Sequence, residues 1–436
     1  RLLQGEVGSG KTVVAVRAML TVVDSGGQAA LLAPTEVLAA QHYRAITNLL
    51  GPLAERGKLG AHDEGTGVTL LTGSMTTAAR RQALLDITSG QAGIVIGTHA
   101  LLEDRVDFFD LGLVVIDEQH RFGVEQRATL VGKAGSDRRP HVLVMTATPI
   151  PRTVAMTAFG ALDISTLSEL PAGRSPITSH VVLSAEKPSH LARVWERIVE
   201  EVGAGHQAYV VVPRIASQED KDLKPGQRQA IALEDLAPQL IEGPLAGVRV
   251  GIMHGQMPGP DKDEVMQRFA NGPAHKDGID VLISTTVIEV GVDVANATTM
   301  VIMDADRFGI SQLHQLRGRV GRGSAPGLCL LVTEAPAFSP ARERLAAVAS
   351  TNDGFELAAL DLEQRREGDV LGRNQSGMRS SLKLVSILRD ESILEQARIA
   401  AVDIVNKDPE LDSNPALARA VQSLIDQARA EFVKKS

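Results

Sequence analysis

A glycine-rich segment near the start of the chain has the residue types and spacing of a phosphate-binding loop. The segment Gly5-Glu6-Val7-Gly8-Ser9-Gly10-Lys11-Thr12 fits the pattern G-x-x-x-x-G-K-[ST]. In such a loop, backbone N–H groups surround the phosphates of a nucleotide, the lysine ammonium reaches the β- and γ-phosphates, and the threonine hydroxyl binds Mg²⁺. The predicted nucleotide-binding residues are Gly5, Gly8, Ser9, Gly10, Lys11 and Thr12, with Lys11 also catalytic and Thr12 a metal ligand. A glycine-rich turn before an ordinary helix is the alternative for this segment taken alone.

Two carboxylates, Asp117 and Glu118, directly follow the apolar run Leu113–Ile116. A buried parallel strand of this composition would deliver Asp117 to the magnesium ion at its carboxyl end. Glu118 would then orient or deprotonate the attacking water. Such a pair, taken alone, often lies at the solvated end of a strand. The prediction is stronger here because a phosphate-binding loop precedes the pair in the same chain. We predict that both residues are catalytic and that Asp117 is a metal ligand.

Two arginines flanked by glycines form a third candidate group. The segment Gln315–Gly323 places Arg319 and Arg322 three residues apart. On a short helix this spacing puts both guanidinium groups on one face, where they could bind phosphate oxygens in a bidentate manner. An arginine delivered from a second lobe to a γ-phosphate held by the first is an arginine finger, and it makes hydrolysis depend on closure. We predict that Arg319 and Arg322 are catalytic; a solvated basic turn is the alternative.

Short apolar runs alternate with longer helical patterns, which predicts an α/β fold with parallel sheets and crossover helices. The predicted strands contain Ala30–Leu32, Ile94–Ile96, Leu113–Ile116, Val142–Met145, Tyr209–Val212, Val248–Ile252, Val281–Ile283 and Met300–Met303. Prolines and a glycine in Leu170–Pro176 predict a linker between two lobes. The second half has no G-K-[ST] of its own, so we expect one nucleotide site between the two lobes.

The rest of the chain is expected to be helical or irregular. Residues Ser217–Gly243 mix charges with prolines and a glycine, which predicts a surface excursion within the second lobe. From about Phe338 the strands stop, and a last helix should begin at Pro415 with Asn414 as its N-cap. Apolar residues recur there at helical spacing and should form packing surfaces: Leu382, Val385, Leu388, Leu417, Val421, Leu424, Ala428 and Phe432. The predicted domains are residues 1–168, 169–337 and 338–436.

Composition limits the classes of protein that this chain can be. It has 436 residues, of which 44% are hydrophobic and 22% charged, values typical of a globular protein with two or three domains. A net charge of −8 means that any nucleic-acid surface must be a local patch. The single cysteine, Cys329, excludes an internal disulfide, fits a reducing cytoplasm and is predicted to be buried. No apolar stretch is long enough for a membrane span, and because the chain starts at Arg1, we expect sequence upstream.

Several segments together resemble, in order, the motif set of superfamily 2 helicases. They are Ala33–Glu36, Thr72–Ser74, Gly97–Ala100, Asp117–His120, Thr146–Thr148, Ser284–Asp293 and Gln315–Arg322, in addition to the phosphate-binding loop. Within that superfamily, Asp117–Gly123, Thr146–Thr153 and Gln312–Gly323 look like the RecG family of branched-DNA translocases. The transcription-repair coupling factor is the alternative family. Gly8-Ser9-Gly10 and Gln119 favour the RecG family.

The resemblance implies roles for further residues. It implies two tandem RecA-like lobes followed by a C-terminal translocation hairpin and helical tail. The implied DNA-binding residues are Pro34, Thr35, Glu36, Thr72, Gly73, Thr98, His99, Thr285 and Thr286. The implied coupling residues are His120, Thr146, Thr148, Gln315, Arg344, Arg365 and Gln375, and Gly291 and Asp293 would complete the nucleotide site from the second lobe. The chain departs from the family at Arg366-Glu367, where the family usually has glycine and proline, and this changes the backbone angles available to the loop.

The resemblance implies an ATP- and Mg²⁺-dependent DNA helicase or translocase that remodels stalled forks and Holliday junctions in recombination and repair. Its partners would be duplex and branched DNA, bound without sequence preference, with a single-strand-binding protein as a candidate protein partner. We expect a cytoplasmic monomer that does not bind membranes. The family's N-terminal wedge domain is not visible in this sequence, so we expect weak branch specificity. A nucleotide-gated DNA clamp without productive hydrolysis is the alternative outside the enzymes.

Overall fold

A computed structural model describes residues 1–6, 8–54, 65–118, 140–146, 163–167, 176–216, 229–289, 294–364 and 391–423. The chain divides into two compact units. One contains residues 1–149 and 165–354, and the other contains residues 150–164 and 355–436. The first unit holds two separate parallel sheets, each with its own helices, which we call the first and second lobes.

The first lobe is built on a seven-stranded sheet with the strand order β3-β4-β2-β5-β6-β1-β7. Its strands are β1 (Leu2–Gly5), β2 (Gln28–Leu32), β3 (Gly67–Leu71), β4 (Ala92–Gly97), β5 (Leu111–Ile116), β6 (His141–Thr146) and β7 (Ile164–Leu167). Strands β1 to β6 pair in parallel. Their carboxyl ends therefore meet at one edge of the sheet, where ligands of open α/β folds bind.

Helices cover both faces of this sheet. They are α1 (Lys11–Asp24), α2 (Glu36–Leu50) and α3 (Thr77–Thr88). Along β2, Ala29 and Leu31 pack in one core with α1 and α2, whereas Ala30 and Leu32 pack in another core with α3. Successive residues of a strand point to opposite faces, so a central strand covered on both sides must be apolar at every position. This explains the unbroken apolar runs of the sequence.

The second lobe is built on a six-stranded parallel sheet with the order β10-β11-β9-β12-β13-β8. Its strands are β8 (Ile177–Leu183), β9 (Gln207–Val211), β10 (Val250–Met253), β11 (Val281–Ser284), β12 (Ala297–Ile302) and β13 (Gly327–Thr333). Its helices are α4 (Pro188–Gly203), α5 (Leu233–Glu242), α6 (Gly259–Asn271), α7 (Ile310–Arg317) and α8 (Pro340–Ser350). The two-lobed α/β fold expected from the sequence is confirmed.

Each of the predicted apolar runs overlaps a strand, but strands β3, β7 and β8 were not predicted. All three lie at the edges of their sheets, where one side lacks a neighbouring strand. Strand β8 alternates between more and less exposed residues, so it contains no continuous apolar run. Strand β13 is central, and its buried segment around Cys329 was predicted without being assigned to a strand.

The predicted surface excursion over Ser217–Gly243 is wrong for its second part. Residues Leu233–Glu242 form α5, whose Leu233, Ala237 and Leu240 are buried in the core of the second lobe. Their spacing of three and four residues is that of a helix with one apolar face. Pro238 lies inside this helix and was misread as a sign of a loop. Residues 217–228 lie outside the described part of the chain, as does most of the predicted linker Leu170–Pro176.

The C-terminal region contains the helices α9 (Gly354–Gln364) and α10 (Glu391–Lys407), and residues 415–423 are also helical. The last helix begins at Pro415 as predicted. Leu417 and Val421 were expected to pack, but they are 41% and 40% exposed. Leu382, Val385, Leu388, Leu424, Ala428 and Phe432 lie outside the described residues. Among the helices that the structure describes, none has the length and apolar character to span a membrane.

Candidate nucleotide site and nucleic-acid-facing edge

The phosphate-binding loop has the structural context that its sequence pattern requires. It leaves β1 after Gly5 and enters α1 at Lys11. Gly8 and Gly10 have φ angles of 86° and 88°, a left-handed conformation that glycine adopts at little cost. A side chain at Gly5 would come within 2.6 Å of Ser9 Oγ and 2.9 Å of the Leu167 carbonyl oxygen. The loop therefore depends on glycine at these positions for its shape.

Lys11 is folded back onto the loop. Its Nζ donates to the carbonyl oxygens of Gly5 and Glu6, both at 2.7 Å. Burial lowers the pKa of the Lys11 ammonium below its ordinary value, whereas Asp117, Glu118 and Glu6 act to raise the pKa. Together these interactions place a cation at the amino end of a helix, which is where an anionic phosphate would be favoured.

Arg322 of the second lobe also acts on Lys11 and contributes to lowering its pKa. Arg319 and Arg322 are both half-buried. The prediction of a short helix that carries both arginines is wrong, because α7 ends at Arg317 and Gly321 adopts a φ of 68°. Instead, Arg322 Nε donates to the Gly318 carbonyl oxygen at 2.9 Å, which fixes it in the turn after α7.

The acidic pair lies at the carboxyl end of β5, beside the loop. Asp117 is 9% exposed, and its Oδ1 accepts the backbone N–H of Glu118 at 3.0 Å. Glu118 has a φ of 50°, a left-handed conformation that costs a residue with a side chain about 1–3 kcal/mol. Such strain is typical of functional sites.

A buried histidine that was not predicted holds the other oxygen of Asp117. His42 Nε2 lies 2.8 Å from Asp117 Oδ2, and the two side chains are 9% and 12% exposed. His42 belongs to α2, whose buried positions are Ala39, His42, Ile46 and Leu50. A histidine within this apolar stripe was the signal in the sequence that could have identified it. Both carboxylate oxygens of Asp117 are thus fixed in place.

The nucleic-acid-facing candidates of the first lobe follow three neighbouring strands, β2, β3 and β4. Pro34, Thr35 and Glu36 follow β2, and Thr35 Oγ1 caps α2 by accepting the Leu38 N–H at 3.3 Å. Glu36 accepts hydrogen bonds from the backbone N–H and the hydroxyl of Ser74. This carboxylate therefore joins the loop after β2 to the loop after β3 and is engaged within the protein.

The other predicted DNA-binding residues differ in exposure. His99 and Gly73 are exposed and Thr286 is half-buried. Thr72, Thr98 and Thr285 are buried, at 4%, 1% and 6% exposure. In this arrangement of the chain, their hydroxyl groups do not face solvent, so a phosphate would first meet the exposed neighbours. Their roles in DNA binding stay predictions.

The predicted coupling residues are placed only in part. Thr146 ends β6 and pairs in register with Gln4, directly before the phosphate-binding loop. Gln315 is buried on α7. Arg344 of α8 donates from Nη2 to the Asp306 carbonyl oxygen at 2.6 Å. His120, Thr148, Gly291, Asp293, Arg365 and Gln375 lie outside the described residues, as does the Arg366-Glu367 departure.

Arg317 is a second residue that the sequence analysis missed. It is 2% exposed although it is charged. Its Nη1 donates to the carbonyl oxygens of Val348 at 2.7 Å and Thr351 at 2.6 Å, and its Nη2 donates to His314 Nδ1 at 2.8 Å. The residue thereby connects the arginine-containing segment to the end of α8. Its position two residues before Arg319 gave no indication that it points away from the candidate site.

Three family models match successive parts of the chain. DEAD/DEAH box helicase matches residues 1–157, and helicase conserved C-terminal domain matches residues 191–324. The C-terminal part of domain 3 of the ATP-dependent DNA helicase RecG matches residues 351–431. The first two matches coincide with the two sheets, and the third begins at the residue that accepts a hydrogen bond from Arg317.

Curated relatives match over nearly the whole chain. The ATP-dependent DNA helicase RecG of Mycobacterium tuberculosis H37Rv is 56% identical over 436 residues, covering 100% of this chain and 58% of the relative. The protein of the same name from Bacillus subtilis is 44% identical over 408 residues, covering 94% of this chain and 55% of the relative. The chain thus spans somewhat more than half the length of these relatives.

Solved structures agree with the sequence relatives. A structure of RecG bound to a three-way DNA junction superimposes with a TM-score of 0.66 at 37% identity, covering 91% of this chain and 47% of that chain. Saccharomyces cerevisiae Dbp5 bound to RNA and ADP-BeF3 has a TM-score of 0.54 at 17% identity, covering 81% of this chain and 83% of that chain, and shows the fold alone. Over the residues it contains, the chain is similar to the RecG family of ATP-dependent DNA helicases.

Proposed function

We propose that the chain is the motor part of an ATP-dependent DNA translocase that remodels branched DNA, such as stalled forks and Holliday junctions. The observation that carries this proposal is the phosphate-binding loop between β1 and α1, in which Gly8 and Gly10 are left-handed and Lys11 donates to the carbonyl oxygens of Gly5 and Glu6. Arg322 of the second lobe also acts electrostatically on Lys11. Hydrolysis at a site that takes residues from two lobes would depend on their relative position, and this dependence is what a motor requires.

The residues present fit a magnesium nucleotide. The glycines of the loop and the amino end of α1 would hold the phosphates, and Lys11 would exchange its two carbonyl partners for phosphate oxygens. Ser9 Oγ is buried without a hydrogen-bond partner, as expected for a donor reserved for a ligand. Thr12 and Asp117 would hold Mg²⁺, which neutralises phosphate charge when bound. Glu118 would orient water, and Arg319 and Arg322 would stabilise charge that develops on the phosphate.

Duplex and branched DNA are the proposed substrates, in keeping with the relative whose structure contains a three-way DNA junction. The contacts would be made by the exposed loops after β2, β3 and β4, without reading base sequence. The chain spans 58% of the length of its mycobacterial relative. A monomeric state, a cytoplasmic location and an interaction with a single-strand-binding protein belong to the same proposal.

ATP turnover with no DNA, single-stranded DNA, duplex and forked DNA tests the proposal. We expect duplex and forked DNA to stimulate turnover to a similar degree. Lys11→Ala should abolish nucleotide binding and turnover, whereas Glu118→Gln should abolish turnover and keep binding. Arg322→Ala should lower kcat more than nucleotide affinity, because a finger acts mainly in the transition state. Turnover that no DNA stimulates, or that Lys11→Ala leaves intact, would refute the motor function.

A further inference from the structure

The four residues Thr351–Gly354, which we call the junction, connect α8 to α9 and lead toward the C-terminal region. The junction is held from several sides. The Thr351 carbonyl oxygen accepts from Arg317, and Asn352 Nδ2 donates to the Ile177 carbonyl oxygen at 3.0 Å. The Asp353 N–H donates to Thr351 Oγ1 at 3.1 Å. The segment is therefore fixed to the second lobe at both its backbone and its side chains.

The junction is also held by the phosphate-binding loop of the first lobe. The Gly354 N–H donates to Glu6 Oε1 at 2.9 Å, a contact between residues 348 positions apart. Gly354 is the first residue of α9, so this N–H is one of those that a helix leaves without an internal partner. A carboxylate at that end also interacts favourably with the helix dipole. Glu6 thus stabilises the start of α9 from within the loop that would surround the nucleotide.

From this geometry we infer that Glu6 and Arg317 are positioning residues that transmit nucleotide state to α9 through the junction. Glu6 lies between Gly5 and Gly8, so a change in the loop on nucleotide binding displaces its carboxylate. Arg317 lies next to the turn that carries Arg319 and Arg322, so movement of that turn displaces the Thr351 carbonyl oxygen. The Glu6 contact thus responds to the first lobe, and the Arg317 contact responds to the second lobe. The inference rests on the proposed motor function.

The side chain of Glu6 is separable from nucleotide binding. Lys11 uses the backbone carbonyl oxygen of Glu6, which every substitution retains. The Glu6 carboxylate acts to raise the pKa of Lys11, and a negative charge beside the loop opposes the approach of a triphosphate. Its removal should therefore leave nucleotide affinity equal or higher while it removes the acceptor of the Gly354 N–H. A residue needed only for folding of the loop would not produce this split.

Hydrogen exchange at the Gly354 amide, with and without a non-hydrolysable ATP analogue, tests the contact directly. Glu6→Ala removes the acceptor, and exchange should become about tenfold faster or more, the factor expected for loss of a hydrogen bond to a charged group. Glu6→Gln keeps an acceptor oxygen without the charge, so its exchange should be intermediate. Glu242→Ala, which changes an exposed glutamate at the end of α5, is the matched control. In wild type, but not in Glu6→Ala, the analogue should change the exchange rate.

Displacement of a triplex strand from duplex DNA, measured together with phosphate release, tests the consequence. Glu6→Ala should consume about two- to fivefold more ATP for each strand displaced, because the loss of a charge at a helix end weakens that contact by about this factor. The KM for ATP should be unchanged or lower. Arg317→Lys keeps the charge but not the fork of donors, and it should show the same loss. Unchanged exchange at Gly354 or unchanged ATP use in both variants would overturn the inference. Failure of wild type to hydrolyse ATP with DNA would instead refute the motor function, and the exchange result would still test the contact.

Discussion

Replacing His42 with alanine tests whether α2 positions the carboxylate of the metal site. The hydrogen bond between His42 Nε2 and Asp117 Oδ2 is 2.8 Å long, and both side chains are almost fully buried. A hydrogen bond to a charged group contributes about 1.5–3 kcal/mol. Each 1.36 kcal/mol of transition-state stabilisation is tenfold in rate. If the bond is retained in the transition state, His42→Ala should lower kcat by about 10- to 150-fold.

Two further substitutions separate positioning from packing. The Nε2 atom of glutamine can occupy nearly the position of His42 Nε2, so His42→Gln should retain most of the activity. The shorter His42→Asn should not reach Asp117 and should resemble His42→Ala. His141→Ala, which changes an exposed histidine at the start of β6, is the control. Unfolding temperatures of all variants would show whether the fold is intact.

The assay is phosphate release at saturating ATP and duplex DNA, together with binding of a fluorescent nucleotide. Nucleotide affinity should change little without Mg²⁺ and should weaken in its presence, because the histidine acts through a metal ligand. A folded His42→Ala protein with kcat within about twofold of wild type would refute the reasoning. So would equal losses in His42→Gln and His42→Ala, because a hydrogen-bond donor would then not matter.

Two other predictions follow from shifted pKa values. Burial raises the pKa of Cys329 to about 12, so a thiol reagent at pH 8 should label it only after unfolding. Because the thiol ionises at lower pH in the unfolded chain than in the folded protein, the free energy of unfolding should fall between pH 9 and pH 12. Rapid labelling of native protein would contradict the burial of β13. Burial, and then the like charge of Glu36, raise the pKa of Asp263, so ionisation of Asp263 costs stability above that pKa. Asp263→Asn should therefore raise the unfolding temperature at pH 7, with a gain that disappears toward pH 4; a gain independent of pH would contradict the shift.

The central part of the fold followed from the sequence because burial on both faces leaves a continuous apolar run. Strands β2, β5 and β9 are buried at nearly every position. The edge strands β7 and β8 need bury only part of their surface, so they lack such a run. Helix α5 was missed because a proline and neighbouring charges were taken as evidence of a loop, although its apolar residues keep helical spacing. Periodicity was the better indicator there.

The candidate site was predictable where chemistry is local in sequence and not where it depends on distant residues. The end of β1, the phosphate-binding loop and the start of α1 follow one another at Gly5–Thr12. The position of Asp117 could be predicted from the apolar strand directly before it. The contact of Glu6 with Gly354 joins the two ends of a compact unit. A single sequence contains no signal for such a pair. Arg317 was likewise hidden, because a basic residue in a basic segment gives no indication of the direction of its side chain.

The strand order suggests a second role for His42 in addition to positioning the Asp117 carboxylate. In the first lobe, the predicted DNA-binding residues follow β3, β4 and β2, whereas the predicted nucleotide-site and coupling residues follow β5, β6 and β1. The two groups meet only where β2 pairs with β5. His42 follows β2 and binds Asp117, which follows β5, so it is a direct polar link across that boundary. A residue that only orients Asp117 would lower the basal and DNA-stimulated rates of ATP hydrolysis equally. A link between the two groups requires His42→Ala to lower the stimulated rate more than the basal rate.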